Sequence, residues 1–586
     1  MRPHAFPWHC RYNACVRRSL APLLVLAGLT FLVGLGAPAI TDADEAFYAE
    51  AAREMVESGD WLTPHYNYEP RFQKPVLYYW LTAATFAVTG AGELAARLWA
   101  ALSGVGLVFV TAGLARRWYD DDTALLSGAI VATSFGYVAL GRMALPDLPL
   151  ALSVTATIAA CLVAIGDRVP RPRQWLLAAA VSAALGFLVK GPLAVVLPAA
   201  VLLPILMIER RASRVRATDV LVAAATFAAL AAPWYLAMWW RHGTPYLESF
   251  FVSDNLARFA TDRFNEPRPW WYYGPVIVGG VVPWAPYLLL GVSATLRVLT
   301  LRGGLGSLET RLAIWMVLPL AVFTLSVGKQ PRYVLPLLPP IAILIAHGIV
   351  DRTRSGRGLD GGLYQQRPDR GLQAASLAAG AMLLLAAALV WRAQPLFVDI
   401  PAWQSLSAAA TIGVAGLAVV LVALSRGWRQ APWALAYASA IALPALVLGA
   451  LAGGPDDAVH RVARAVVTAR QASEPVGVSR VFVRNLVFYT GVKQTDLIND
   501  EQLTAFLSQA GQALVVVPAE VLDRVEAAGA PRAQRVAEFS YVNEAGLRLR
   551  SFLWPDPAHD VQRVLLVRTA GTAPAAVSAA VSTLGR

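Results

Sequence analysis

Cysteine, lysine and charged residues in general are scarce in this chain of 586 residues. Its three cysteines, Cys10, Cys15 and Cys161, form neither a disulfide framework nor a metal-binding spacing. Only 15% of the residues are charged, whereas 57% are hydrophobic, which is more apolar residue than a soluble domain of this length needs. Internal repeats and low-complexity segments are not evident either. The composition therefore indicates a protein whose solvent is largely lipid.

Long apolar runs recur along the first three quarters of the chain. Many have roughly 17–25 residues, the length that crosses a bilayer core of about 30 Å. Lipid requires backbone groups to be satisfied within each segment, so we predict helices, since the runs are too long and uniformly apolar for barrel strands. The thirteen predicted membrane helices are 19–40, 94–115, 123–141, 148–166, 174–189, 191–208, 218–240, 275–297, 311–328, 333–350, 372–392, 405–425 and 431–453. A shorter apolar run, 75–89, is predicted to be a re-entrant or interfacial helix.

The net charge of +12 comes largely from arginines in short loops between these runs, which is a topology signal rather than a sign of nucleic-acid binding. With a cytoplasmic N-terminus, every loop that follows an even-numbered helix is cytoplasmic, and each of these loops is basic, as the positive-inside rule requires. The opposite, outer face receives loops 41–93, 142–147, 190, 241–274, 329–332 and 393–404.

The final segment also falls on the outer face. We predict a transmembrane domain over residues 1–453, followed by a less apolar α/β domain over residues 454–586. Short apolar runs suggest strands at Val478–Val483, Ala513–Val517 and Val564–Val567, and helix-like stretches lie at Glu501–Gln509 and Ala519–Ala528.

Carboxylates lie where two outer loops meet a membrane helix. Asp42, Asp44 and Glu45 follow the first helix, and Asp147 precedes the fourth. Acidic residues favour the first turn of a helix, so one interpretation is simple capping. The other is a general base or a metal ligand, because the loop parity brings Asp44 and Asp147 to the same face of the membrane.

Lysine placement is the most informative feature. The chain has 50 Lys and Arg residues but only four lysines, and three of them, Lys74, Lys190 and Lys329, fall in outer loops of the membrane part. An ammonium group is a compact point charge that suits phosphate. Either the placement is chance, or these lysines mark an anion site on the outer face. Nearby cations and phenols that could join such a site are Arg258, Arg332 and Tyr333.

Together these motifs resemble those of the bacterial lipid A 4-amino-4-deoxy-L-arabinosyltransferases, within the protein O-mannosyltransferase-like superfamily of GT-C glycosyltransferases. The resemblance rests on the acidic motif after the first helix, Asp147, Lys190-Gly191-Pro192 and Gly328-Lys329-Gln330-Pro331-Arg332-Tyr333, and it is high over the stretch 42–81. It implies the GT-C fold, a donor of undecaprenyl phosphate-linked aminoarabinose, and a lipid A phosphate as acceptor. It further implies an inner-membrane enzyme whose active site faces the periplasm and whose product resists polymyxin and cationic peptides.

Residue roles follow from the same resemblance. It implies catalytic roles for Asp44, with Glu45 beside it, and for Asp147. The implied substrate- and phosphate-binding residues are Tyr48, Lys74, Lys190, Arg258, Lys329, Arg332 and Tyr333. A divalent metal is the one cofactor considered, its requirement is left open by the sequence, and a monomer is expected. A soluble nucleotide site is not expected, because the chain has no Gly-rich phosphate loop.

Two alternatives remain open at this point. The first is another GT-C enzyme, such as a protein O-mannosyltransferase or an envelope-glycan hexosyltransferase. In that case Asp44 would act as a base toward an acceptor hydroxyl. The second is a transporter, although transport pathways usually place ionisable residues at mid-membrane depth, and here the charges gather at one mouth.

Overall fold

The structure is a computed structural model that describes residues 21–41, 43–166, 169–209, 215–257, 261, 267–301, 308–355, 368–453, 456–509, 511–542 and 547–569. Helices dominate its first part. They are α1 Ala21–Leu32, α2 Ala43–Ser58, α3 Leu77–Thr89, α4 Glu93–Trp118, α5 Asp121–Thr133, α6 Phe135–Gly141, α7 Asp147–Ala164, α8 Pro172–Lys190, α9 Leu193–Glu209, α10 Ala217–His242, α11 Thr244–Leu247, α12 Tyr273–Gly280, α13 Leu288–Leu301, α14 Leu308–Leu325, α15 Leu338–Ser355, α16 Arg370–Ala393, α17 Ala402–Leu424 and α18 Ala431–Ala450.

Short segments of other helix types connect them. Glu248–Ala257 is π-helical, and the 3₁₀ turns are Ala285–Tyr287, Pro331–Leu337, Gln394–Leu396 and Trp428–Gln430.

Each of the thirteen predicted membrane helices has a helical counterpart. Within the described residues, nine helical spans are long and apolar enough to cross a membrane. The bent pairs α5–α6 and α12–α13 would make eleven, and α1 and α9 are shorter apolar helices. The predicted polytopic helical fold is therefore confirmed, whereas the number of crossings stays a prediction.

Two predicted helices are broken, which corrects their assignment as continuous segments. Run 123–141 bends by 56° between α5 and α6, where Ser134 has extended backbone angles. Run 275–297 turns by 113° between α12 and α13, around Pro283, whose missing N–H and ring interrupt helical hydrogen bonding.

The first outer loop carries local structure of its own. Helix α2 packs against α3, which has 13 residues and therefore falls short of a membrane span. Between them lies an antiparallel hairpin of β1 (His65–Tyr66) and β2 (Glu69–Pro70). Its turn residue Tyr68 has a positive φ of 63°, and its N–H donates to both carboxylate oxygens of Glu54 on α2. The hairpin is thereby tied to α2, at whose start Asp44 lies.

The part of the chain that follows the last membrane helix contains a five-stranded mixed sheet in the order β4-β3-β5-β7-β6. Neighbours β4, β3 and β5 are parallel, whereas β7 is antiparallel to both β5 and β6. The strands are β3 Val476–Ser479, β4 Gln494–Leu497, β5 Leu514–Pro518, β6 Gln534–Val542 and β7 Val561–Arg568. The helices are α19 Ala458–Ala469, α20 Leu486–Thr490, α21 Asp500–Leu507, α22 Ala519–Ala527, α23 Leu549–Leu553 and α24 Pro557–Asp560. We refer to residues 456–569 as the C-terminal domain.

Sequence patterns predicted part of this sheet. The runs assigned to β5 and β7 are strands, but the run 478–483 is strand only to Ser479. Arg480 and Phe482 have positive φ angles of 59° and 51°, which end the extended backbone. Edge strands β4 and β6 are too polar to stand out as apolar runs.

Polar contacts hold the C-terminal domain against the first outer loop. The side-chain amide of Asn485 donates to the backbone oxygen of Ile40 at 2.9 Å. The hydroxyl of Tyr489 accepts from the N–H of Ile40 at 2.7 Å and donates to Glu93 at 3.0 Å. The loop between β3 and α20 is consequently fixed beside the start of α2.

Candidate active site

Two acids and two cations form a continuous chain at one mouth of the helical bundle. Arg332 donates from Nη2 to Oδ2 of Asp44, and its Nε lies 3.9 Å from Oδ1 of Asp147. The ammonium of Lys190 donates to the same Asp147 oxygen at 2.5 Å. We call Asp44, Asp147, Lys190 and Arg332 the central cluster. Four segments that are distant in sequence thus meet at one point.

Helix ends place these side chains. Asp44 lies in the first turn of α2 and Asp147 in the first turn of α7, where the helix dipole favours a negative charge. Lys190 is the last residue of α8, where a positive charge is favoured. Gly191 then ends α8 with φ +85°, and a Cβ on it would lie 2.6 Å from the Phe250 ring, so only glycine fits.

The central cluster keeps Asp44 ionised. Burial by itself raises the pKa of Asp44, but the charge and hydrogen bond of Arg332 and the charges of Arg484 and Arg71 outweigh burial and hold the pKa below its ordinary value. Asp44 is therefore a stable anion at neutral pH and a weak proton acceptor.

A narrow cavity adjoins the cluster. Its polar wall consists of Asp147, Lys190, Arg332 and Tyr333. The apolar wall consists of Leu150, Leu193, Leu197, Phe323 and Pro336. Its free volume is about 10 Å³, room for about one water molecule. An anion the size of phosphate would therefore enter only if Lys190 or Arg332 moved from its present carboxylate partner.

Two predicted phenols contact this region. Tyr48 is buried, stacks on Tyr79 with ring centroids 5.5 Å apart, and meets Tyr78 edge-on at 5.6 Å. Burial raises the pKa of Tyr48 well above its ordinary value, so its hydroxyl stays protonated. Tyr333 lies with its ring centroid 5.8 Å from the Lys190 ammonium, within cation–π range.

Glu45 points away from the central cluster, and its expected catalytic role stays a prediction. Its two carboxylate oxygens accept from Nε and Nη2 of Arg97 at 2.6 Å and 2.9 Å, and the N–H of Ala144 donates to it at 2.8 Å. Arg97 also donates to the backbone oxygens of Leu35, Pro38 and Ala39. We assign Glu45 a structural position that links α2, α4 and the end of α1.

The other two outer lysines lie outside the central cluster. Lys74 forms an ion pair with the buried Asp254 of the π-helical segment. Lys329 is buried and donates to the backbone oxygen of Ser326 at 2.7 Å; among the described residues no carboxylate lies within ion-pair distance of it. Arg258 and Asp42 lie outside the described residues.

Sequence reasoning missed two arginines beside Asp44. Nη1 of Arg484, in the C-terminal domain, lies 3.8 Å from Oδ1 of Asp44. The guanidinium carbons of Arg71 and Arg484 lie 3.9 Å and 4.4 Å from the centroid of the Phe47 ring. Arg71 precedes Lys74 within the motif stretch, so proximity in sequence was an available signal. No pattern in the sequence marked Arg484.

Metal ligands are limited in the part of the chain that the structure describes. It holds no group of three or more His, Cys, Asp or Glu side chains arranged to bind a metal ion. Asp44 and Asp147 are candidate oxygen ligands, and both have cation partners. A divalent metal stays an expectation from the resemblance.

A larger cavity, of about 800 Å³, lies away from this cluster, between α19 and the outer ends of α4 and α18. Its wall includes Glu93, His460, Arg464 and Leu448, and the His460 ring bonds to Glu93 at 3.0 Å. None of the residues predicted for the site lines it.

Several known proteins are similar to this chain. The family model of dolichyl-phosphate-mannose-protein mannosyltransferases matches residues 35–244. An undecaprenyl phosphate-α-4-amino-4-deoxy-L-arabinose arabinosyl transferase 1 of Pseudomonas fluorescens Pf-5 is 34% identical over 397 residues, covering 66% of this chain and 68% of the relative. A transferase 2 from the same strain is 33% identical over 61% of this chain and 60% of its own length. The match therefore spans about three fifths of the length of several such relatives.

The fold has a solved counterpart. The crystal structure of ArnT from Cupriavidus metallidurans bound to undecaprenyl phosphate has a TM-score of 0.71, with 20% sequence identity, and the likeness covers 96% of this chain and 99% of that one. At this identity the likeness shows the fold alone.

Proposed function

Because the chain belongs to the family of bacterial undecaprenyl phosphate-4-amino-4-deoxy-L-arabinose arabinosyl transferases, with the multi-pass GT-C fold, we propose that it transfers 4-amino-4-deoxy-L-arabinose from undecaprenyl phosphate to a phosphate of lipid A. The relatives are undecaprenyl phosphate-aminoarabinose arabinosyl transferases, which supports the donor, and the expected acceptor follows from the resemblance.

The observation that carries the proposal is the cavity beside the central cluster. One wall presents Lys190 and Arg332, and the other is lined by leucine, phenylalanine and proline side chains. A substrate that is anionic at one end and a hydrocarbon at the other matches the chemistry of both walls, and its phosphate enters once Lys190 or Arg332 leaves its carboxylate partner. A polyprenyl phosphate has this form, whereas a soluble nucleotide sugar lacks the apolar part.

The reaction exchanges one phosphate for another at the sugar's anomeric carbon. An oxygen of the acceptor phosphate attacks this carbon, and the bond to the carrier's phosphate oxygen breaks, leaving its electron pair on the carrier. Positive charge develops on the sugar and negative charge on the departing phosphate. Lys190 and Arg332, placed at the polar end of the cavity, stabilise that negative charge as it forms.

The low pKa of Asp44 favours a phosphate as the acceptor over a hydroxyl group. A hydroxyl acceptor must lose a proton, and an efficient general base has a pKa near the working pH. The arginines beside Asp44 hold its pKa low instead. An acceptor phosphate is already ionised and needs no such base. In this proposal Asp44 orients the amino group of the sugar and balances the developing positive charge.

We place the enzyme in the inner membrane, with the central cluster facing the periplasm. The basic loops predicted for the opposite face support this orientation. Since the transferred sugar carries an amine, the product lipid has a less negative surface, and cells that contain it would resist polymyxin and other cationic peptides.

The test uses purified protein with defined lipids. Undecaprenyl phosphate-linked aminoarabinose and lipid A are incubated together, and the lipid product is measured by mass spectrometry. A gain of one aminoarabinose on a lipid A phosphate is the expected result. The mannosyltransferase family match supports a second candidate, so polyprenyl phosphate mannose and a Ser/Thr-rich peptide form the parallel arm. Transfer in that arm alone would replace the proposal with protein mannosylation.

A further inference from the structure

We propose that Arg71 and Arg484 form a second anion site, on the outer side of Asp44, that binds the phosphate of the acceptor. This inference rests on the proposed transfer to a phosphate. It assigns the C-terminal domain a direct part in substrate binding, through one arginine that it contributes to the site.

A single aromatic ring holds the two cations together. Phe47 lies three residues after Asp44 on α2, so the two side chains emerge on the same side of the helix. The guanidinium carbons of Arg71 and Arg484 lie 3.9 Å and 4.4 Å from the centroid of its ring. The two guanidinium carbons are therefore no farther apart than the sum of these distances, about 8 Å, and in the proposed site one phosphate lies beside the ring and bridges them.

Both guanidinium groups have bonding capacity to spare. Nε of Arg71 donates to the hydroxyl of Tyr79 at 3.1 Å, and among the described residues no carboxylate lies within ion-pair distance of Arg71. Arg484 approaches Asp44 only at 3.8 Å, beyond hydrogen-bond distance. A guanidinium presents five N–H donors in a planar fork that matches the oxygens of phosphate, so these arginines are suited to an incoming phosphate.

The charges around Asp44 are also compatible with two bound phosphates. The central cluster and this arginine pair together contain four cations and two carboxylates, and two further carboxylates, Asp254 and Asp496, act on Arg71 and Arg484 only through their charge. The carrier's phosphate and the acceptor's phosphate supply matching negative charge. Two separate anion sites on either side of Asp44 would hold the two phosphates between which the sugar moves.

The exposure of the side chains indicates which of the two anion sites binds the carrier's phosphate and which binds the acceptor's phosphate. The side chain of Lys190 is 12% exposed and adjoins the apolar wall, as a lipid carrier requires. The side chain of Arg484 is 41% exposed, and so is that of Asp44. An acceptor phosphate on a bulky sugar headgroup reaches the open side without entering the narrow cavity.

The experiment compares Arg484→Ala with Arg480→Ala in the full-length protein. Arg480 is a matched control, because it lies four residues earlier, its side chain is also 41% exposed, and it pairs with Asp500 at 2.6 Å inside its own domain. Transfer is measured while the lipid A and the aminoarabinose donor are varied separately. We expect Arg484→Ala to raise the KM for lipid A about ten- to hundredfold and to leave the KM for the donor within about twofold.

Further variants separate binding from folding. Arg484→Lys keeps one charge and should recover part of the affinity for lipid A, whereas Arg480→Ala should match the wild type. Inorganic phosphate should compete with lipid A, and more weakly against Arg484→Ala. Thermal unfolding identifies any variant that fails to fold. If Arg484→Ala fails to fold, the KM of Arg484→Lys for lipid A tests the second anion site instead.

The outcomes distinguish the two proposals. Transfer by the wild type with equal lipid A KM values for Arg484→Ala and Arg480→Ala would overturn the second anion site and leave the proposed function intact. A fall in kcat with both KM values unchanged would overturn it too, because Arg484 would then act by positioning Asp44. A wild type that transfers nothing to lipid A would remove the proposed function and, with it, this inference.

Discussion

Lys190→Arg is the sharpest test of the central cluster, because it keeps the charge and changes only the shape. Lys190 donates to Asp147 at 2.5 Å, and its side chain is 12% exposed. The adjoining cavity has room for about one water molecule, less than the added atoms of a guanidinium need. The Phe250 ring also lies close to the backbone directly after Lys190, since a Cβ on Gly191 would lie 2.6 Å from it.

The expected loss follows from the contacts of the ammonium group. A charge-assisted hydrogen bond contributes about 1.5–3 kcal/mol. If the arginine cannot reach the departing phosphate in the same geometry, turnover should fall roughly ten- to hundredfold, since each 1.36 kcal/mol is tenfold in rate. Overpacking of a buried site typically costs a further 1–3 kcal/mol of stability, so a lower unfolding temperature should accompany the loss.

The assay is sugar transfer from purified lipid donor, with the amount of folded protein normalised. Lys493→Arg is the matched control, because its side chain is 58% exposed and pairs with Glu69 at 3.1 Å in contact with solvent. That variant should retain full activity. Full activity of Lys190→Arg as well would refute the reasoning, since any positive charge at this position would then suffice.

Three further predictions concern other parts of the molecule. Asp44→Asn should lower turnover at least ~100-fold while the protein still inserts and folds, because the side chain is partly exposed; near-wild-type turnover of the purified variant would return Asp44 to a capping role. Glu45→Gln should chiefly destabilise the fold, by about 3–5 kcal/mol, because Arg97 loses its buried partner; unchanged thermal stability with lost turnover would restore a catalytic role to Glu45. A phosphatase fused after Arg586 should be active and a cytoplasmic reporter silent, and the reverse pattern would mean that the helix count is off by one.

The membrane part of the fold was predictable because lipid imposes one length and one composition on every crossing. The helical breaks were harder to see. Ser134 is an ordinary residue in an apolar run, and at this break the N–H of Phe135 donates to the distant backbone oxygen of Val282 at 2.9 Å, a contact that no sequence pattern marks. Pro283 was visible in the sequence, but proline also occurs inside continuous helices here, such as Pro233 in α10. Proline alone therefore does not mark a break.

The candidate site was predictable as a set of residues on one face, but not as a set of partners. Charge parity placed Asp44, Asp147 and Lys190 at the outer mouth, and the structure brings them together with Arg332. The parity of the loops does not, however, predict the direction in which each side chain points. Asp44 and Glu45 are neighbours in sequence, yet one contacts Arg332 and the other lies buried against Arg97. On a helix, adjacent residues point about 100° apart, so adjacency in sequence is a poor guide to a shared site.

Arg484 shows where sequence reasoning ends and what the fold adds. It approaches Asp44 because Asn485, the next residue, and Tyr489, five residues on, bond to the backbone of Ile40 just before α2. The C-terminal domain thus bonds to Ile40, and the same short segment of the chain carries Asp44 of the central cluster. The geometry of the outer anion site is therefore a property of this joint, and a chain that ended before α19 would lose it even with every membrane helix in place.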